Sequence, residues 1–200
     1  MHPIYAIGLT GGISSGKSLA GTYLSRYVPV LDSDHLVHEL YSSDQALINS
    51  IAEAFGSQCV GKEGVLRRKL REIVFKDSAQ LELLNSIVRP KTSEVLLSRI
   101  LSCKASRQPQ VFMIPLLFEN GWQKELDHVL LLGCSVETQV ARILRRDGTD
   151  AEDARLVIAA QMPLHEKQKL CDYYIENEGE PQELYARLDV WWQSLMSESS

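Results

Sequence analysis

Apolar residues along the chain gather into two kinds of stretch. The first kind is short and almost unbroken, at residues 4–9, 28–31, 111–114, 128–132 and 173–175. Runs of that length without polar alternation predict strands buried on both faces. The second kind is longer, and its apolar positions recur every three or four residues, as one face of a helix requires. Leu19, Ala20, Tyr23, Leu24 and Tyr27 place a helix over 17–27, with Pro29 beyond its end. Further helices are expected over 36–41, over 46–55 up to Gly56, and over 136–146, 164–170 and 184–195, with a frayed Ser/Glu tail after the last. The longest pattern covers 66–102 and carries Leu70, Val74, Leu81, Leu84, Val95 and Ile100, with a break expected near Pro90. Gly61 and Gly64 mark a loop, and Thr149 and Glu152 have the spacing of a capping box for the helix after 148–153.

Strands alternating with helices predict an α/β fold of three layers, with a parallel sheet of about five strands between helices. No repeat and no linker composition divides the 200 residues, so one domain is expected over 1–200. The helical block between the second and third strands, about 36–105, is longer than a crossover needs. It reads as an insertion that grips a substrate.

The polar stretch after the first strand carries the chemistry. Gly11-Gly12-Ile13-Ser14-Ser15-Gly16-Lys17-Ser18 matches G-x-x-x-x-G-K-[ST] between a predicted strand and a predicted helix, the context a Walker A loop requires. Glycines let such a loop curl until backbone N–H groups face phosphate oxygens, and the helix head adds its positive dipole end. Lys17 is placed to reach the β- and γ-phosphates, and the Ser18 hydroxyl to ligate Mg²⁺. The reading is a nucleotide site.

Asp32-Ser33-Asp34-His35 follow the second strand, where open α/β sheets bind ligands. If that segment stays extended, Asp32 and Asp34 point the same way. One carboxylate would then take the proton of a substrate hydroxyl while the other holds Mg²⁺ or its waters. His35 and His38, one helical turn apart, are weaker candidates for substrate contact. Arg142 and Arg146 share a helix face just before the Gly148 loop, which reads as a lid. Guanidinium groups there can spread the charge that develops on transfer. Arg67, Arg68, Lys69 and Arg71 form a second basic cluster, suited to a phosphorylated substrate or to plain solvation. The third strand leads into Pro115 without a Walker B acid, Glu119 is the next carboxylate, and Asn-Lys-x-Asp is absent. Mg²⁺ therefore rests on Ser18, the phosphates, waters and Asp32 or Asp34. These residues alone also suit a kinase for a nucleoside or nucleoside monophosphate; against a non-catalytic ATP-binding module stand Lys17, Ser18, Asp34 and Arg142 together, and against a nucleic-acid motor the missing Walker B acid.

Composition narrows the partners. With 21 basic against 26 acidic residues the net charge is −5, so no basic footprint calls for nucleic acid. Cys59, Cys103, Cys134 and Cys171 form no C-x-x-C pair, which favours buried thiols over zinc or disulfides. No apolar run has membrane-spanning length and no leader pattern opens the chain, so a cytoplasmic protein is expected, without membrane or nucleic-acid partners.

In order along the chain, Gly8-Leu9-Thr10-Gly11-Gly12-Ile13, Asp32-Ser33-Asp34, Leu84-Asn85 before Pro90, Pro115-Leu116-Leu117-Phe118-Glu119, Gln139 with Arg142 and Arg146-Asp147, Gln161, and Asp172-Tyr173 with Ile175 and Asn177 form a set. This set resembles the dephospho-coenzyme A kinase family, from Ile7 to about Gly179. The resemblance implies ATP-dependent phosphorylation of the ribose 3′-hydroxyl of dephospho-CoA. It also implies a P-loop nucleotide-kinase-like core, a helical CoA-side insertion and a lid at about 142–165. By position, Gly12 to Ser18 would bind ATP, Asp34 would be the general base, Arg142 the lid arginine on the phosphates, and Asn177 would lie near the adenine. Ser14 stands where the family usually has glycine, Ser33 and Cys171 where it has alanine, Arg89 where histidine is frequent, and Val157 where many members carry arginine.

Overall fold

The computed structural model describes residues 4–74 and 77–198. Phe75 and Lys76, inside the helical expectation over 66–102, and Ser199 and Ser200 of the expected frayed tail lie outside the described residues. In chain order the elements begin with β1 (Ala6–Gly11), α1 (Lys17–Leu24), β2 (Val30–Asp32), α2 (Ser33–Ser43) and α3 (Gln45–Phe55). A hairpin of β3 (Val60–Gly61) and β4 (Gly64–Val65) follows, then α4 (Arg67–Val74), α5 (Ser78–Ser106) and β5 (Gln110–Met113). The chain continues through β6 (His128–Gly133), α6 (Val136–Asp147), α7 (Ala151–Ala159), α8 (Leu164–Gln168), β7 (Tyr173–Glu176) and α9 (Pro181–Glu198). Two compact units result: one holds the described residues up to Asp32 and from Ile100 onward, the other is Ser33–Arg99.

The first unit is built on a five-stranded sheet in the order β2-β5-β1-β6-β7, with every neighbouring pair parallel. The expected three-layer α/β arrangement is the one that forms. All six residues of β1 are buried, as a central strand covered on both faces must be. The period of two sorts them. Ile7 and Leu9 share a core with Ala20 and Leu24 of α1 and with Leu184, Leu188, Trp191 and Leu195 of α9. Each Ile or Leu side chain among them contributes about 1.5–3 kcal/mol on burial. Gly8 points to the opposite face, where a Cβ would lie 2.6 Å from Leu126 and 2.9 Å from Leu117. Its missing side chain lets the segment after β5 pack directly on the strand.

Carboxylates set the strand register at the amino ends. Asp127 accepts from the Tyr5 and Ala6 N–H groups at 2.9 and 2.8 Å and pairs with Lys104 at 2.9 Å. Burial raises the pKa of this carboxyl, but the Ala6 N–H, Lys104 and the Tyr5 N–H together hold it below its ordinary value. Asp172 does the same service for β6, accepting from the Val129 N–H at 2.8 Å.

Several boundaries differ from the sequence pattern. α2 begins at Ser33, directly after β2, so Asp34 lies in a first helical turn and the extended-segment argument for aligned Asp32 and Asp34 carboxylates fails. Pro90 does not break α5. Pro90 and Ser86, whose carbonyl loses its donor, are both exposed, and the Thr92 hydroxyl donates to the Val88 carbonyl at 2.9 Å. The α7 cap is Asp150 rather than Thr149: its carboxylate accepts the Glu152 and Asp153 N–H groups, each at 2.9 Å. The stretch at Gly61 and Gly64 is the small β3–β4 hairpin, not an open loop. α9 starts three residues early, because Pro181 suits a first helical turn, and continues to Glu198 where fraying was expected. Cys59, Cys103 and Cys134 are buried, whereas Cys171 is partly exposed.

Candidate active site

Between β1 and α1 the chain turns through a loop whose tightest points lie outside ordinary backbone space. Gly16 has φ 98° and caps α1, and Ser14 has φ 56°. Glycine takes the first freely, whereas for Ser14 a left-handed backbone costs about 1–2 kcal/mol. Gly16 is also a point of close approach, since a Cβ there would lie 2.3 Å from Nδ2 of Asn177.

Four successive peptide groups of this loop are held from outside by four side chains. Gln161 Oε1 accepts the Ile13 N–H at 3.1 Å. Gln139 Nε2 donates to the Ile13 carbonyl at 2.9 Å, Arg142 Nη1 to the Ser14 carbonyl at 3.3 Å, and Asn177 Nδ2 to the Ser15 carbonyl at 2.8 Å. A trans peptide points its C=O and N–H in opposite directions, so carbonyls tied outward leave the Ser14, Ser15 and Gly16 N–H groups on the concave side. There the Ser15 N–H donates to the Gly12 carbonyl at 3.2 Å. Lys17 Nζ donates to the Gly11 and Gly12 carbonyls at 3.0 and 3.4 Å. α1 has neither a side-chain cap nor an acidic residue in its first turn, so nothing of its own competes with an anion for its head. Ser18 is exposed in that first turn. A chain of inward amides ending in a lysine and an exposed hydroxyl can hold a polyphosphate and the cation that accompanies it.

The anchors come from distant elements. Gln139 and Arg142 lie on α6, whose head Ser135 caps by accepting the Thr138 N–H. Glu178 also accepts from the Ser135 N–H and the Thr138 hydroxyl. The Thr138 hydroxyl foremost, with the Ser135 N–H and against a burial penalty, holds the Glu178 carboxyl below its ordinary range. Asn177 follows β7, and its own N–H donates to the Gly133 carbonyl at 2.7 Å. Gln161 lies in the turn between α7 and α8. Beside it the Met162 N–H donates to Glu119 at 3.0 Å, and Glu119 pairs at 2.8 Å with Lys167, which is 1 % exposed. Burial raises the Glu119 pKa, yet Lys167 foremost among the opposing groups brings it below the ordinary value. Burial pushes the Cys134 thiol up to about 11 against the pull of Arg142, which makes it a packing group and not a nucleophile. A cavity of roughly 680 Å³ lies behind the loop, with Gly12, Gln139 and Gln161 in its wall beside Cys134, Met162 and Lys167.

The remaining predicted residues are distributed as follows. Asp32 ends β2 in the first unit; Asp34, exposed, lies in the first turn of α2 in the second. Arg146 does not join Arg142 on the loop but pairs with Asp147 at 2.7 Å. His35 and His38 have ring centroids 6.0 Å apart. Among the described residues no group of three or more His, Cys, Asp or Glu side chains forms a metal cluster. Within the second unit, Arg67, Arg68 and Arg71 line a groove of roughly 520 Å³ with Tyr41 and His38, over an apolar floor that includes Leu70 and Val74. Arg68 pairs with Glu72 at 3.4 Å. Asn177, expected near an adenine, is 6 % exposed and its amide nitrogen rests on the loop backbone. Sequence reasoning attached no role to Gln139 or Gln161. Gln139 does leave a signal, a polar residue on the buried α6 stripe of Val140 and Ile143.

The family model and the curated relatives agree on one family. The family model described as dephospho-CoA kinase matches residues 5–183. The dephospho-CoA kinase of Latilactobacillus sakei is 34% identical over 186 residues, covering 92% of each chain. That of Synechococcus sp. (strain CC9605) is 37% identical over 178 residues, covering 88% of this chain and 86% of its own. Among solved structures, a Thermus thermophilus protein is 33% identical over all of both chains, with a TM-score of 0.73. The dephospho-CoA kinase from Campylobacter jejuni, 23% identical, has the same fold over 98% of both chains, with a TM-score of 0.75.

Proposed function

The chain belongs to the dephospho-CoA kinase family, which performs the last step of coenzyme A synthesis with ATP as phosphoryl donor, and on that premise we propose how its residues divide the transfer to the ribose 3′-hydroxyl of dephospho-CoA. The observation that carries this reading is the loop itself: inward amides behind three carbonyls that Gln139, Arg142 and Asn177 hold outward, the Ile13 N–H held by Gln161, and Lys17 and Ser18 at the head of α1. The Ser14–Ser18 amides and the dipole of α1 bind the β- and γ-phosphates. Lys17, aimed by the Gly11 and Gly12 carbonyls, presents its ammonium to the γ-phosphate, whose charge is the stronger acceptor. Arg142, already on the Ser14 carbonyl, is the guanidinium that takes up charge as the bond to the leaving oxygen lengthens.

Asp34, two residues beyond the carboxyl end of β2, is the general base that accepts the hydroxyl proton. Ser18 is the residue for Mg²⁺, with Asp32 at the end of β2 as the accompanying acid, and the exposed Ser18 hydroxyl fits that use. Bound there, Mg²⁺ would neutralise phosphate charge. Asn177 seats the loop beneath the nucleotide. Residues 142–165 form the lid, and about 36–105 the acceptor-side insertion, whose arginine-lined groove suits the diphosphate of dephospho-CoA.

Two variants test the division of labour. Lys17→Ala is expected to abolish turnover; near-normal activity would overturn the loop reading. Asp34→Asn is expected to lower kcat by about 10²–10⁴, the worth of a positioned base, and leave ATP affinity in place. Equal loss of ATP binding would move Asp34 from proton transfer to the metal or nucleotide.

A further inference from the structure

The four outside ties do not all act in one sense. Three hold carbonyls outward, on Ile13, Ser14 and Ser15. The fourth, Gln161, holds an N–H outward, that of Ile13, and so reverses the peptide between Gly12 and Ile13. No peptide among the described residues is cis. With its N–H turned out, the Gly12–Ile13 peptide has its carbonyl turned in. Onto that carbonyl converge the Ser15 N–H at 3.2 Å and Lys17 Nζ at 3.4 Å. We infer that Gln161 is a positioning residue for Lys17: by accepting the Ile13 N–H it aims the Gly12 carbonyl into the loop, where it seats the ammonium in line for the γ-phosphate. Without Gln161 the peptide is free to rotate. The Ile13 N–H would then compete for the loop interior, and Lys17 would lose one of the two carbonyls that aim it. Gln161 acts from the α7–α8 turn, which Glu119 holds through the Met162 N–H, so the seat of Lys17 depends on a residue 144 positions away in sequence (161 − 17).

This rests on Lys17 being a phosphate ligand, which Lys17→Ala tests by itself: undiminished ATP binding in that variant would overturn the functional reading. The positioning claim is tested by Gln161→Met, which keeps the chain length and removes the acceptor oxygen. The readouts are ATP affinity by calorimetry and steady-state kinetics with both substrates. kcat/KM for ATP is expected to fall about tenfold, the scale of one aiming hydrogen bond, with KM for dephospho-CoA unchanged. In the Lys17→Ala background the same change is expected to weaken ATP binding less than about twofold, because Gln161 then has nothing left to aim. Gln161→Glu retains an acceptor oxygen and should bind ATP better than Gln139→Glu, which brings the same charge to the adjoining peptide but loses the donor. That pair decides the matter if Gln161→Met fails to fold. Turnover unchanged in Gln161→Met, an effect undiminished in the Lys17→Ala background, or Gln161→Glu weaker than Gln139→Glu would each overturn the inference.

Discussion

Replacing Gly16 by alanine strikes the loop at the point where backbone and anchor meet. Gly16 has φ 98° and ψ 14°, and a side chain in left-handed backbone costs about 1–2 kcal/mol. The new Cβ would stand 2.3 Å from Asn177 Nδ2, so that amide must leave its place. Asn177 is buried and donates to the Ser15 carbonyl at 2.8 Å. Its displacement leaves a buried donor and a buried acceptor unpaired, for about 1–3 kcal/mol more. The sum, about 2–5 kcal/mol, is a large part of the stability of a typical domain. Urea unfolding with and without ATP measures it. In an Asn177→Ala background the collision is gone and the Ser15 bond already lost, so Gly16→Ala should add only the backbone share of about 1–2 kcal/mol. Equal cost in both backgrounds would refute the claim that Asn177 and Gly16 form one packed unit. No cost in either would refute the loop geometry.

Two other perturbations follow from the anchors. Glu119→Gln should cost about 3 kcal/mol in chemical denaturation, because it leaves the buried Lys167 ammonium unpaired; adding Lys167→Met should recover most of that loss. A double variant less stable than the single one would contradict the pairing. Asp127 has a folded-state pKa below its unfolded value of about 3.9, so its contribution is complete above that value and disappears as pH falls through the lower folded one. Asp127→Asn should therefore be less stable than the parent at pH 6, and the difference should shrink as both are acidified below about pH 4. A constant difference across acid pH would exclude the carboxylate as its source.

What could be read from the chain alone depended on how local the cause was. The five strands of the main sheet, β1, β2, β5, β6 and β7, fall on the apolar runs within two residues; burial on both faces accounts for the runs of β1, β5 and β6, whereas the edge strands β2 and β7 are only partly buried. The phosphate loop was legible for the same reason, since glycines, lysine and hydroxyl are contiguous. Arg142 and Asn177 stood among the expected site residues, but the grip of the four supports on the loop was not legible. Gln139, Arg142, Gln161 and Asn177 reach back across 126 to 162 residues to touch the loop, and no periodicity announces such a contact. Asp34 was placed on an extended segment because nothing between Asp32 and Ser33 signals that helix α2 starts at once. Pro90 read as a break because ring and missing donor oppose a helix interior, yet an exposed face and the Thr92 hydroxyl offset that local cost. Asp150 displaced Thr149 as a cap through a carboxylate close enough to accept two amides.

The central claim is the identity of the acceptor, and ADP release with MgATP tests it most directly. Dephospho-CoA would be run beside adenosine, AMP, dCMP and pantothenate under identical conditions. The account predicts turnover with dephospho-CoA, phosphate carried on the 3′-oxygen of the product, and none of comparable rate with the rivals. Turnover with a rival and not with dephospho-CoA would contradict it while leaving the phosphate loop intact.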